Sequence, residues 1–336
     1  MSRRGITAFF TMVMAAGVMA SGPVHQADAT LPETTAAATF PGSNGRIAYT
    51  KAWEVSGTPG PDERSAVFTV RPDGTGNKRL TFAREAGKPI WSPSGGRIAY
   101  EQAGAVWVMK SDGSAKKRLI DGRLVGWMPT GGRILAVRDL GGYATDPTWL
   151  LYTLSTGETE ELPIDLPLVA GIEEPYHDFS EWTYAAQPTL SPDGELLALT
   201  LWRYDSGDDG YGYYHGSIFT VRLDGTELTR IPGYDYSWGS PSWSPDGDEL
   251  VYWGSEPRAG CIDSVRSIYL DGTRGSVGIS KPCGEYDPDW SPNGNKIVFT
   301  ASERLQIANL TGTRITTVLH RTVGVYLYDP DWRSVR

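Results

Sequence analysis

Trp243-Ser244-Pro245-Asp246-Gly247, followed by Leu250-Val251-Tyr252, is the stretch that decides the fold. It recurs along the chain. Leu190-Ser191-Pro192-Asp193-Gly194 precedes Leu196-Leu197-Ala198-Leu199, and Trp290-Ser291-Pro292-Asn293-Gly294 precedes Ile297-Val298-Phe299. Looser copies are Trp91-Ser92-Pro93-Ser94-Gly95 before Ile98-Ala99-Tyr100, and Trp127-Met128-Pro129-Thr130-Gly131 before Ile134-Leu135-Ala136-Val137. A truncated copy, Pro41-Gly42-Ser43-Asn44-Gly45 before Ile47-Ala48-Tyr49, comes first. Within each copy Pro presets φ, Asp accepts local hydrogen bonds and Gly takes the φ > 0 position of a turn. Repeats of fixed pattern mean a radial or stacked array.

Each unit reads as four short strands. The first ends at the Trp, and the second is the apolar run after the turn. The third ends in another turn: residues 67–70 before Asp73-Gly74, 106–109 before Asp112-Gly113, 218–221 before Asp224-Gly225 and 268–270 before Asp271-Gly272. Thr156-Gly157 and Thr311-Gly312 serve the same purpose in two other units. The fourth strand carries endings such as Arg79-Leu80-Thr81. The first turn's glycines stand at 45, 95, 131, 194, 247 and 294. A four-stranded blade needs about 40 residues, so most units carry extra loop. The prediction is an all-β, six-bladed β-propeller of four-stranded antiparallel blades. The first unit lacks its first strand. Beyond the last unit, Tyr328-Asp329-Pro330-Asp331-Trp332 repeats Asp287-Pro288-Asp289-Trp290. The C-terminal segment is therefore expected to close blade one, which removes an exposed sheet edge.

The N-terminus reads as a secretory signal, residues 1–29. Arg3 and Arg4 are basic, 6–20 is uncharged and apolar, and Ala27-Asp28-Ala29 is a small-x-small cleavage signal. Thr30 to Thr39 reads as a flexible leader and 40–336 as the propeller. A secreted or periplasmic, cell-envelope location follows, with no membrane span after cleavage. The net charge is −9, and losing 1–29 removes two arginines and one aspartate. An acidic surface argues against nucleic acid, whose phosphates need Lys and Arg. Only Cys261 and Cys283 occur, and in an exported chain they are expected to form a disulfide.

These repeats resemble those of the TolB family, the periplasmic propeller component of the Tol–Pal envelope system. The resemblance covers 40–334. It implies a TolB-like six-bladed propeller; related repeats also occur in the propeller domains of prolyl oligopeptidase-like enzymes. TolB proper has an additional N-terminal α/β domain, for which the ten residues 30–39 leave no room.

In such blades the Pro-Asp-Gly and Asp-Gly hairpins share one face. The insertions 51–64, 138–148, 202–216 and 254–264 and the inter-blade segments 165–187, 232–240 and 319–327 fall on the other. Loops on a rigid scaffold carry function, so this second face is the expected working surface. It is rich in aromatic residues: Tyr176, Trp202, Tyr204, Tyr213, Tyr214, Tyr236 and Trp238, with His177 and His215 among them. Tyr and Trp give large contact area at low side-chain entropy cost. The reading is an exported, monomeric, non-enzymatic module that recognises a protein, peptide or envelope component, with no cofactor and no metal. The alternative is a carbohydrate-active propeller, a glycan binder, lyase or hydrolase, using His177, His215 and nearby carboxylates. No Gly-x-Ser-x-Gly, phosphate loop, Cys-x-x-Cys or His-Glu-x-x-His occurs. Asp205, Asp208 and Asp209 depart from an EF-hand spacing and read as a solvated loop. The repeat tryptophans read as blade packing, and the repeat aspartates as turn chemistry.

Overall fold

The computed structural model describes residues 42–54, 63–82, 85–138, 147–166, 184–206, 212–232, 238–255, 263–279 and 285–335. The expected signal and leader, Tyr176, His177, Tyr236, Cys261 and Cys283 lie outside them. The described strands form six four-stranded sheets, each one blade. Blade 1 takes β1 (Ser43–Glu54), β2 (Glu63–Val70) and β3 (Lys78–Arg79). Blade 2 is β4 (Ala86–Trp91), β5 (Arg97–Gln102), β6 (Ala105–Lys110) and β7 (Lys117–Asp121). Blade 3 is β8 (Arg123–Trp127), β9 (Arg133–Arg138), β10 (Thr148–Thr153) and β11 (Thr159–Leu162). Blade 4 is β12 (Tyr184–Leu190), β13 (Leu196–Ser206), β14 (Gly212–Arg222) and β15 (Thr229–Arg230). Blade 5 is β16 (Trp238–Trp243), β17 (Glu249–Ser255), β18 (Asp263–Tyr269) and β19 (Arg274–Ile279). Blade 6 is β20 (Glu285–Trp290), β21 (Lys296–Ala301), β22 (Arg304–Asn309) and β23 (Ile315–Leu319). The last strand, β24 (Val325–Val335), returns to blade 1, in the order β24-β1-β2-β3. The expected closure is present, and its register runs from Ser43↔Val335 to Trp53↔Val325.

The ring holds together through its seams. Six apolar clusters each join two neighbouring blades. Ile47, Tyr49 and Val70 of blade 1 meet Val298, Leu305 and Ile307 of blade 6. Ala48 and Val67, on the opposite face of blade 1, meet Trp91, Ile98 and Tyr100 of blade 2. Each second strand is thus buried on both faces, which is why Ile47-Ala48-Tyr49 and its repeats are continuously apolar. The turn aspartates act as read from the sequence. Asp193 and Asp246 each accept the hydroxyl of the serine two residues earlier, at 2.5 Å. Asp73, Asp224 and Asp271 each accept both the backbone N–H and the hydroxyl of the following threonine. These bonds hold the carboxyls of Asp73, Asp224 and Asp271 below the ordinary aspartate range.

Several expected insertions are partly strand. The 202–216 stretch continues β13 and β14 as one ladder out to Ser206↔Gly212. Alternating polar and aromatic residues suit a pleated ribbon, and cross-strand pairs stabilise it. Trp238 likewise opens β16 instead of lying in a loop.

Candidate functional site

Two regions gather chemistry: the β13–β14 ribbon, and the ring axis, where the backbone is also unusual. The ribbon brings five of the sequence-derived site residues together by register. Trp202 pairs with Gly216, Arg203 with His215, Tyr204 with Tyr214 and Asp205 with Tyr213. Successive strand positions alternate between faces. Positions 202, 204 and 214 therefore share one face of the ribbon, and positions 203, 205, 213 and 215 share the other. Trp238 stands on blade 5, paired with Gly254.

The axis was not foreseen as a site. Each inner strand is irregular near its middle. In five of the six, a residue before proline has φ > 0: Lys88 (47°), Gln187 (52°), Ser240 (49°), Asp287 (48°) and Asp329 (47°). Each coincides with a register shift of the ladder. A bulge re-aims a side chain, and left-handed non-glycine residues cost about 1–3 kcal/mol each. Blade 3, whose inner strand reads Arg123-Leu124-Val125-Gly126-Trp127, lacks the proline but keeps the shift. The sequence signal was present: Pro89, Pro188, Pro241, Pro288 and Pro330 all stand two residues before the aromatic or leucine of the repeat.

The re-aimed side chains clasp blades together. Asp287 accepts the Ser240 hydroxyl at 2.9 Å and the Asp329 N–H at 3.4 Å, joining blades 5, 6 and 1. Asp329 accepts the Thr50 hydroxyl, and Thr50 accepts the Lys88 N–H, both at 2.9 Å. Gln187 accepts the Ser240 N–H at 2.6 Å. One level further along the axis, Asp289 accepts Ser242 Oγ (2.7 Å) and Trp332 N–H (3.0 Å), while Asp331 accepts Trp91 N–H (2.7 Å). Burial raises the Asp287 and Asp289 carboxyls to about 6, with the Asp329 charge adding to the effect on Asp287. Asp331 is also raised, by burial first and the Asp289 charge second. Burial lowers the Lys88 ammonium, and Glu101, 3.9 Å from it, opposes that shift.

Beyond the carboxylates lie Trp91, Trp127, Leu190, Trp243, Trp290 and Trp332, one per blade, all buried. Their role as blade packing holds, since Trp127 donates its indole N–H to Ile90 O and Trp243 to Thr189 O across the seams. They also line, with Asp289, Asp331, Pro245 and Pro292, an axial cavity of about 90 Å³. Small-molecule pockets run to about 300–1,000 Å³, so this space suits a few waters. Among the described residues, no group of three or more His, Cys, Asp or Glu is placed to hold a metal ion. No helix among them is long and apolar enough to cross a membrane.

Solved structures share this architecture. TolB from Acinetobacter baumannii superposes with TM-score 0.61 at 20% identity, over 86% of this chain and 66% of that one. The putative TolB from Agrobacterium tumefaciens gives 0.51 at 16%, over 88% and 100%. Hydrazine synthase of Kuenenia stuttgartiensis gives 0.56 at 14%, over 89% and 48%. No protein-family model matches the chain, and no curated protein matches it in sequence. In fold the chain is a TolB-like six-bladed β-propeller. It spans 66% of the length of the Acinetobacter protein.

Proposed function

We propose that this chain is an exported, non-enzymatic binding or scaffold propeller that recognises a protein, peptide or envelope component through the face bearing the β13–β14 ribbon. The observation that carries the reading is the ribbon's register. It sets Tyr204 opposite Tyr214, with Trp202 two positions along the same face. A ribbon presenting aromatic positions on a closed scaffold is the arrangement that interfaces favour. The axial chemistry points the same way. Its aspartates are engaged in hydrogen bonds between blades, and the cavity of about 90 Å³ beside them suits a few waters. Tyr176, Tyr236 and Trp238 complete the proposed set of contact residues, and Cys261 and Cys283 are proposed to pair as a disulfide.

The second reading, a carbohydrate-active propeller, draws on the ribbon's other face, where His215 and Asp205 hold alternate positions near Arg203. Its second imidazole would be His177. Incubating the protein with a glycan panel, with His215→Ala as control, separates the two. Turnover lost in that variant favours the enzyme. Capture of a partner by wild type, lost in a Trp202→Ala/Tyr214→Ala form, favours the binding module.

A further inference from the structure

The turn-side edge of blade 1 carries three arginines in a row. Ile47 pairs with Val70 on one side and with Trp332 on the other. Arg46, Arg71 and Arg333 are the next residues along the three strands; Arg46 follows the Val70 pairing to Arg71, while a bulge between Asn44 and Ile47 sets Arg333 beside both Gly45 and Arg46. Like charges placed directly across a sheet destabilise it. Among the described residues, none of the three makes an ion pair with a carboxylate. This convergence of positive charge lies on a chain whose net charge is −9.

Each of the three guanidinium groups is held in place, and Arg71 Nη1 donates a long bond to Thr75 Oγ1 at 3.3 Å that an anion would have to share. Arg46 donates from Nε to Thr69 Oγ1 at 3.2 Å and from Nη2 to Thr69 O at 3.2 Å and to Gly76 O. Its Nη1 is left over. A methyl carbon on Gly76 would stand 3.3 Å from that atom and 2.8 Å from Arg71 Nη1. The two nitrogens therefore lie within about 6 Å of each other, the span that two charge-assisted N–H···O bonds of about 2.8 Å to one oxyanion bridge. Arg333 stacks over the Trp91 ring at 5.1 Å, and its buried Nε has no acceptor. Burial first, and then the charges of Arg71 and Arg333, make the Arg46 cation harder to hold than an ordinary arginine.

We infer that the Arg71–Arg46–Arg333 row is a binding site for a tetrahedral oxyanion, the phosphate or sulfate group of an anionic ligand. The Arg46 and Arg71 forks, with the Arg333 charge beside them, match an anion with several acceptor oxygens better than a single carboxylate. Glycine at 76 keeps the space between the first two forks open. The site lies on the hairpin side of the ring and is independent of the ribbon described above.

Calorimetry and melting of the full chain test this, with inorganic phosphate as probe and chloride of matched ionic strength as reference. Arg71 is the exposed member, so Arg71→Gln is the variant of choice. Wild type should bind phosphate saturably, and R71Q should bind at least about tenfold more weakly. In chloride alone R71Q should melt higher than wild type, because repulsion within the row is relieved. A purely structural Arg71 would shift it lower. Phosphate binding equal in the two proteins, no saturable binding by wild type, or a lower melting temperature for R71Q in chloride would each overturn the proposal. A sulfated and a phosphorylated monosaccharide, titrated in parallel, distinguish the free ion from an ester as the source of the group.

Discussion

Gly225 and Gly294 both close turns with positive φ, at 80° and 68°, yet their surroundings differ. A Cβ at 225 would stand 2.1 Å from Pro163 O of the neighbouring blade, whereas nothing lies within 4 Å of one at 294. Gly294→Ala should cost only the left-handed penalty of about 1 kcal/mol. Gly225→Ala adds a backbone clash at a blade seam and should cost about 3 kcal/mol. Thermal melts of the two variants check this, and equal losses would contradict it. The axial aspartates make a second residue-scale prediction. Asp287 and Asp289 have folded-state values near 6, above the ordinary 3.8. The folded protein therefore binds their protons more tightly than the unfolded chain does. The stability they contribute is complete below about pH 3.8 and is lost as pH rises through about 6. Asp289→Asn cannot ionise, so its melting temperature should fall less than that of wild type between pH 4 and pH 7. Parallel profiles would contradict the assignment. The turn aspartates, whose values are lowered, gain their effect below that window and do not obscure it.

At the scale of the element, β24 carries the most consequence. Its ladder to β1 supplies the inner strand of blade 1, and Trp332 and Leu327 enter the cluster shared with blade 6. Asp331 reaches blade 2 through the Trp91 N–H. Removing 326–336 opens two seams and exposes an edge, so the melting temperature should fall sharply and the transition should broaden. An unchanged melt would mean that the closure contributes nothing. This strand was legible in the sequence because Asp329-Pro330-Asp331-Trp332 copies Asp287-Pro288-Asp289-Trp290. The extension of β13 and β14 was not. Tyr, Gly and Asp clustered over 204–214 carry loop composition, and only pairing across the ribbon makes them strand.

For the whole molecule, the repeat specified six blades because turn chemistry and apolar runs recur together, and each level of the sequence agrees with the same fold. The axial clasp escaped that reading. Lys88, Gln187, Ser240, Asp287 and Asp329 share a position, but only the two aspartates share a side chain, so only the ring, by bringing all five to one axis, reveals a common role. The aromatic residues were recognised as a group, but their division between two faces depends on register, which composition does not carry. That division gives the function its sharpest test. Capture from the envelope and medium of the producing cells should be measured for wild type, for Trp202→Ala/Tyr214→Ala and for His215→Ala. The account predicts a partner held by wild type and by H215A but lost in the double variant. Capture retained by the double variant, or lost only in H215A, would contradict it.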